Sequence, residues 1–199
     1  MTQTNKNQFK VILLSFLSFV LLLFLLTLIL NGFDEEKQNQ AIEELTYFES
    51  FSLSYFDRET ACAAEETFTQ ADLSQAKVTV LNGWGPWCTA CVNEMPALQA
   101  LAEEYESKGL RVVGIVAGYF SAPASNGDDS IAAVLEALDI RYPILLGDER
   151  FAQEVEPTMN NCYPGTWVLD SDGNLITFVQ GSLSEDGWRS AFDSWLEGR

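Results

Sequence analysis

The sequence predicts an α/β fold in which a central mixed sheet is flanked by helices, and three segments support that prediction. Val78–Asn82 is apolar and largely β-branched, and it leads into a segment from Cys91 to Tyr105 whose apolar residues recur at helical spacing. Val112–Val116 is a second continuous apolar run, as expected of a buried parallel strand. Asp170–Gly173 is a hairpin turn, which adds antiparallel strands to the sheet.

Composition limits the classes of function. The 199-residue chain is 47% hydrophobic, so it can build a core, and its formal net charge of −18 makes nucleic acid a poor partner. It contains no histidine, which excludes a Ser–His–Asp triad, a Cys–His nucleophile pair and histidine-ligated metal or haem. No metal site and no cofactor are expected.

The N-terminus is predicted to anchor the chain in a membrane. Residues 1–10 are polar and weakly basic, and Val11–Leu30 is an apolar run of the roughly 20 residues that cross a bilayer core of about 30 Å. A cleaved signal peptide is the alternative, but the run is long for one and no small-x-small cleavage site follows it. Lys6 and Lys10 before the run and acidic residues 34–36 after it predict a cytoplasmic N-terminus.

Residues 31–46 are polar and charged, and we interpret them as a linker to a domain that spans residues 47–199. That domain is predicted to begin with a β-hairpin. Its first strand lies within Tyr47–Phe56, and Thr67–Thr69 returns as the second. Cys62 is expected in the loop between them.

The remaining elements follow the same patterns. Pro96 falls inside the predicted central helix, where it should kink the helix. Gly118–Asp129 is rich in turn residues and is predicted to be a loop. Helices are predicted at Ala71–Ala76, Ser130–Leu138, Glu149–Val155 and Ser184–Leu196, and short strands at Tyr142–Leu146 and Leu175–Val179.

Cys88 and Cys91 form a C-x-x-C pair between the buried strand and the helix. In the first helical turn, free backbone N–H groups and the helix dipole favour a thiolate, the reactive form. Three-residue spacing puts the two sulfurs within reach of a disulfide. We predict that Cys88, at the start of the helix, is the exposed nucleophile and that Cys91 resolves the mixed disulfide. A static disulfide or half of a zinc site is the alternative, but no second pair with zinc-ligand spacing exists.

The arrangement resembles the thioredoxin superfamily, and within it the membrane-anchored TlpA- and ResA-like thiol–disulfide oxidoreductases. The resemblance covers Tyr47 to Arg199. It rests on the following segments: Val80–Cys91, Glu94-Met95-Pro96, the βα insertion around Gly118–Leu138, and Tyr163–Gly173. Thr-Ala between the cysteines, Asn82 in place of a buried Asp, and Gly165 in place of Thr depart from the pattern.

The resemblance implies roles for four further residues. Glu94 lies on the helical face of Cys91, and the matching Glu of the ResA-like branch accepts the proton of the inner thiol; a solvated first-turn Glu is the alternative. Pro164 is expected to follow a cis bond that presents Tyr163 to an extended substrate, unless it is an ordinary trans proline. Trp87 would form an apolar rim beside the cysteines.

Cys62 and Cys162 have no assigned role in this scheme. We predict a structural disulfide between them, since unpaired thiols are unusual in an oxidising compartment. A third redox thiol at Cys162, or two reduced thiols, are the alternatives.

By this resemblance the protein is a single-pass protein of a bacterial cell membrane, with its catalytic domain on the extracytoplasmic side. It would reduce disulfides in partner proteins, apocytochromes among them, and an integral membrane electron carrier would re-reduce it. A thiol oxidase that forms disulfides, and a tethered binding module that uses the same groove without catalysis, are the alternatives. A thiol peroxidase is disfavoured because it relies on a lone peroxidatic cysteine in a different setting.

Overall fold

The computed structural model describes residues 3–117, 129–160 and 162–198, and it describes no side chains for 3–15, 28–31, 33, 34 and 129. The chain divides into two units, residues 1–40 and 41–199. The first consists of most of helix α1 (Gln3–Glu43), so the linker predicted at 31–46 is helical along most of its length. Within the described residues, no helix combines the length and apolar character that crossing a bilayer requires. The predicted anchor Val11–Leu30 lies partly outside the described side chains.

The second unit is built on a mixed sheet, as predicted, and the sheet has seven strands among the described residues. Its strands are β1 (Ser52–Asp57), β2 (Cys62–Thr69), β3 (Val78–Trp84), β4 (Leu110–Val116), β5 (Ile144–Leu146), β6 (Gly165–Asp170) and β7 (Leu175–Gln180). Across the sheet they run in the order β2-β1-β5-β4-β3-β6-β7. β3 pairs in parallel with β4, and β4 with β5, whereas the other neighbours are antiparallel.

Helices α2 (Thr89–Glu106), α3 (Asp129–Ala137) and α4 (Glu185–Leu196) share one core layer with the sheet. A second, aromatic-rich layer contains Tyr47, Phe48, Phe151 and Trp167. Every residue of β3 is buried, because helices or loops cover both of its faces. The carboxyl end of β3 and the start of the helix that follows it are therefore held in a fixed position at the edge of the core.

Local boundaries differ from the sequence prediction in several places. The helix predicted at Ala71–Ala76 is a 3-10 helix, Gln70–Gln75, and the strand predicted at Tyr142–Leu146 is confined to Ile144–Leu146. Tyr47–Glu49 forms a 3-10 turn, so the first strand begins only at Ser52. Cys62 is the first residue of β2 and not part of a loop, because it pairs with Asp57 on β1. The helix predicted at Glu149–Val155 consists of a π-helical turn followed by a 3-10 turn through Met159. Most of the loop predicted at Gly118–Asp129 lies outside the described residues.

Candidate active site

The two cysteines stand where β3 ends and α2 begins. Cys88 is the N-cap residue of α2, and its Sγ accepts a hydrogen bond from the Cys91 backbone N–H at 3.2 Å. The two residues form a disulfide, with their Cα atoms 5.3 Å apart. Cys88 is 8% exposed and Cys91 is completely buried. The structure thus places Cys88 on the solvent side, with Cys91 behind it.

This position has a direct chemical consequence for Cys88. Its sulfur accepts a hydrogen bond from a first-turn backbone N–H group of α2, at the positive end of the helix dipole. Both favour a negative charge on that sulfur once the disulfide is reduced. A thiolate at Cys88, which keeps a small solvent-accessible surface, and a completely buried thiol at Cys91 are the arrangement needed for attack followed by internal displacement.

Glu94 lies one turn beyond Cys91 on α2, and it is only 4% exposed. Its Oε1 accepts a hydrogen bond from Asn82 Nδ2 at 3.0 Å. Its Oε2 accepts from the backbone N–H of Leu183 at 3.3 Å and from Trp188 Nε1 at 3.2 Å. Burial raises the pKa of Glu94 from 4.5 to about 7, and the hydrogen bonds oppose that rise. The carboxyl group can therefore exchange a proton near neutral pH, as a general base requires.

The groups around Glu94 come from distant parts of the chain. Asn82 lies on β3 and also donates to Thr166 Oγ1 on β6, at 3.0 Å. Leu183 lies in the turn before α4, and Trp188 lies on α4. Asn82 was noticeable in the sequence because it stands where the thioredoxin pattern has a buried Asp. Thr166, Leu183 and Trp188 carried no local signal, because only the tertiary fold brings them to this carboxylate.

An aromatic pair borders the disulfide. Trp87 is 61% exposed, and its ring stands edge to face against that of half-buried Tyr163, with centroids 4.7 Å apart. A Cβ at Gly85 would lie 2.6 Å from the Trp87 ring, so only glycine lets the indole fold back over the turn. Trp84, by contrast, is completely buried in the core.

The Tyr163–Pro164 peptide bond is cis, as the resemblance implies. It precedes β6, which pairs with β3 as far as Gly83. Gly165 follows this proline, and a Cβ there would lie 2.5 Å from Cγ of buried Met159. The glycine that departs from the family pattern is thus explained by the packing of Met159 over the strand.

The predicted bridge between Cys62 and Cys162 is wrong, because both are free, exposed cysteines. Cys62 begins the edge strand β2, and Cys162 lies three residues before β6, the sixth strand across the sheet. Strands about 4.8 Å apart put β2 and β6 about 24 Å apart, whereas the Cα atoms of a disulfide lie at most about 7 Å apart.

Comparison with known proteins agrees with this geometry. A model of the AhpC/TSA family matches residues 48–178. The chain is similar to the thioredoxin-like protein YneN of Bacillus subtilis, with 28% identity over 60% of this chain and 66% of the relative. It is similar to the thiol-disulfide oxidoreductase ResA of Bacillus thuringiensis, with 22% identity over 56% of this chain and 60% of the relative. A third relative is the thiol:disulfide interchange protein HelX of Rhodobacter capsulatus, 28% identical over 68% of this chain and 70% of the relative.

The chain thus spans a little under two thirds of the length of the first two relatives. Among solved structures, a thiol:disulfide interchange protein of the thioredoxin family from Chlorobium tepidum superposes with a TM-score of 0.55 at 19% identity, over 74% of this chain and 93% of that one. StoA from Bacillus subtilis superposes with a TM-score of 0.52 at 16% identity, over 71% of this chain and 94% of StoA. These likenesses establish a thioredoxin-like fold.

Proposed function

The chain belongs to the AhpC/TSA family, and on that premise we propose that it is a thiol-disulfide oxidoreductase that reduces disulfides in partner proteins. The observation that supports this most directly is the Cys88–Cys91 disulfide at the start of α2, with one residue reachable from solvent and the other buried. The names of its relatives ResA and HelX agree with such an exchange activity.

The reaction proceeds in two displacements. In the reduced protein, the Cys88 thiolate attacks a partner disulfide, forms a mixed disulfide and releases one partner thiolate. Glu94 then takes the proton of Cys91, and the resulting Cys91 thiolate attacks Cys88 Sγ. The bond between Cys88 and the partner breaks, and the second partner sulfur leaves as a thiolate. Two electrons pass from the dithiol to the partner, and the protein is left with the Cys88–Cys91 disulfide.

The aromatic pair and the cis-proline segment would bind the partner. Exposed Trp87 offers an apolar contact beside Cys88, and the backbone at Tyr163 offers a short edge for an extended segment of the partner. We propose that disulfide-containing extracytoplasmic proteins, apocytochromes among them, are the substrates. The oxidised protein must be re-reduced, and an integral membrane dithiol carrier is the proposed donor.

We also propose that Val11–Leu30 anchors the protein, with residues 47–199 outside the cytoplasm. The length and composition of the run support the anchor, and the basic residues Lys6 and Lys10 before it support the orientation. An extracytoplasmic position suits a domain that exchanges disulfides, since disulfides persist in that compartment.

Trapping the intermediate tests the activity. We expect the Cys91→Ser variant to accumulate a mixed disulfide with a disulfide-containing protein substrate, and the Cys88→Ser variant to form none. Cys62→Ser, which removes an exposed cysteine outside the pair, should reduce the substrate at the normal rate. Full function in Cys88→Ser would support a binding module instead.

The midpoint potential of the Cys88–Cys91 pair tests the direction. A potential close to that of thioredoxin, about −270 mV, supports the reductase. A potential close to that of a strong oxidant such as DsbA, about −120 mV, would support a thiol oxidase and contradict the proposed direction.

A further inference from the structure

The two oxygens of Glu94 have unequal surroundings. Oε2 accepts two hydrogen bonds, from the Leu183 backbone and from the Trp188 indole. Among the described residues Oε1 accepts one, from Asn82 Nδ2. A carboxylate oxygen has two lone pairs, so Oε1 retains one that can receive a proton. A proton taken up by Glu94 will therefore be held on the oxygen that faces Asn82.

The hydrogen bonds that Asn82 makes suit the ionised carboxylate of Glu94 better than the protonated acid. Both of its amide protons are used, one on Glu94 Oε1 and one on Thr166 Oγ1, each at 3.0 Å. Its Oδ1 is buried and has no partner among the described residues. If Oε1 gains a proton on its free lone pair, it becomes a hydroxyl oxygen that accepts only weakly. The charge-assisted hydrogen bond from Asn82 Nδ2 is then lost, and a rotated amide that accepts from the new O–H group is favoured.

We propose that Asn82 is a positioning residue whose amide group rotates by half a turn when Glu94 gains a proton. Oδ1 then takes the place of Nδ2 and accepts hydrogen bonds from the protonated Oε1 and from the hydroxyl of Thr166. The amide thus stabilises either state of the carboxyl group: its N–H groups stabilise the anion, and its oxygen stabilises the acid.

Thr166 makes this rotation feasible. It lies directly opposite Asn82 in the β3–β6 register, and it is completely buried. A hydroxyl both donates and accepts, and it turns about its own bond at little cost. It accepts from Nδ2 in the described arrangement, and it donates to Oδ1 in the rotated one. Thr166 therefore keeps one hydrogen bond to the amide group of Asn82 in both arrangements.

This inference rests on the proposed function, in which the proton that reaches Glu94 comes from Cys91. Cys91 lies one turn before Glu94 on the same helix, and Tyr142, in the segment before β5, is another titratable group near Glu94. Arg58 donates to the backbone carbonyls of Ile140 and Tyr142 on that side. On the α4 side the neighbours are the two donors of Oε2, which do not titrate in the neutral range. The amide group of Asn82 does not titrate, so of the pair Asn82 and Glu94 only Glu94 can take up the proton.

The test is a pH titration of the oxidised full-length chain by nuclear magnetic resonance. In that state Cys91 is held in the disulfide and does not titrate. We would follow the Glu94 carboxyl carbon and the Asn82 side-chain amide through about two pH units on each side of the Glu94 pKa of about 7. We expect both to change with one midpoint. Cross-relaxation between the Asn82 amide protons and the Thr166 side chain should be strong above that midpoint and weak below it.

Variants complete the test. In Glu94→Gln, which cannot ionise, the Asn82 signals should stay constant over the whole range. In Asn82→Leu, the Glu94 midpoint should rise, with proton affinity increased several-fold, because the charge-assisted hydrogen bond to the anion is stronger than the neutral hydrogen bond to the acid that is lost with it. Thr79→Val removes another buried polar group of β3, on the other face of the sheet, and should leave the midpoint unchanged.

Two outcomes would overturn the inference. One is an Asn82 amide that keeps its contact with Thr166 throughout the titration of Glu94. The other is an Asn82 amide that still titrates in Glu94→Gln. Neither outcome bears on the proposed activity, since the oxidised protein undergoes no exchange during the measurement. Failure of the proposed activity would instead be seen in the trapping experiment.

Discussion

The indole N–H of Trp188 donates to Oε2 of Glu94 across 3.2 Å, although the two residues lie 94 positions apart in the chain. Trp188 is completely buried on α4, and Glu94 is buried on α2. The last helix of the domain therefore helps to set the charge of the carboxyl group behind the cysteines. Helix α4, which contains no cysteine, thus acts on the carboxyl group through one hydrogen bond from Trp188.

Replacing Trp188 with Phe should raise the pKa of Glu94 further. The indole stabilises the ionised carboxylate, so its loss favours the acid, and a hydrogen bond to a charged group corresponds to about one pKa unit. A higher pKa leaves less carboxylate at neutral pH to accept the Cys91 proton. The rate at which the mixed disulfide resolves, measured against pH, should have its midpoint displaced upward by about one unit.

Trp195→Phe is the matched control. Trp195 lies two turns further along α4 and packs against the Trp188 ring, with centroids 6.4 Å apart. It leaves the Trp188–Glu94 hydrogen bond intact, so the pH midpoint should stay in place. An equal displacement in both variants would mean that packing of the helix, and not the hydrogen bond, sets the pKa.

Glu94→Gln should alter how stability depends on pH. Because burial raises the pKa of Glu94 in the folded protein from 4.5 to about 7, the folded state binds the proton more tightly than the unfolded state. The stability that Glu94 provides is complete below about pH 4.5 and is lost as the pH rises through about 7. A shift of this size corresponds to a loss of about 3 kcal/mol.

The measurement is the free energy of unfolding in urea for both oxidised proteins, from acid to mildly alkaline pH. Between about pH 4.5 and 7, the free energy of unfolding of wild type should fall relative to that of Glu94→Gln, which cannot ionise. Parallel curves would show that Glu94 has the same pKa in the folded and unfolded states, and the carboxyl group would then have no special role as a base.

The sequence allowed the central part of this architecture to be predicted because its signals are local. The apolar run of β3, the C-x-x-C spacing and the turn at Asp170–Gly173 each depend on neighbouring residues. The cis bond before Pro164 followed from a motif of adjacent residues. Cys62 and Cys162 were paired wrongly because pairing depends on strand order, and no local pattern places β2 and β6 near opposite ends of the sheet. The same reason kept Trp188 out of the predicted site.

Trp87 should matter for protein substrates more than for small disulfides. We expect Trp87→Ala to raise the KM for a disulfide-containing protein several-fold and to leave kcat almost unchanged, since in the proposed function the exposed indole binds the partner and takes no part in the exchange of sulfurs. Gly85→Ala should have a similar effect, because its Cβ would stand 2.6 Å from the Trp87 ring and displace it. Both variants should reduce a small aromatic disulfide at the normal rate.

Ile176→Ala is the control for the aromatic pair. Ile176 is an exposed apolar residue on β7, 42% accessible, and it lies outside the aromatic pair. Its replacement should leave the KM for the protein substrate unchanged. If Ile176→Ala and Trp87→Ala raised KM equally, general surface hydrophobicity would account for binding, and the rim beside Cys88 would not.

Gly165 and Met159 should be energetically coupled. A Cβ at Gly165 would lie 2.5 Å from Cγ and 2.7 Å from Sδ of Met159, which is completely buried. Gly165→Ala should therefore destabilise the domain by about 1–3 kcal/mol through overpacking, although β6 has a backbone conformation that any residue adopts. Met159→Ala alone should cost about 2–5 kcal/mol, because it leaves a cavity. In the double variant the new methyl group occupies part of that cavity, so the combined loss should be smaller than the sum of the two single losses by about 1 kcal/mol or more.

Urea unfolding of wild type, the two single variants and the double variant measures this difference. Strict additivity would mean that the strand moves to accommodate a side chain at position 165, and the glycine would then need an explanation other than the packing of Met159.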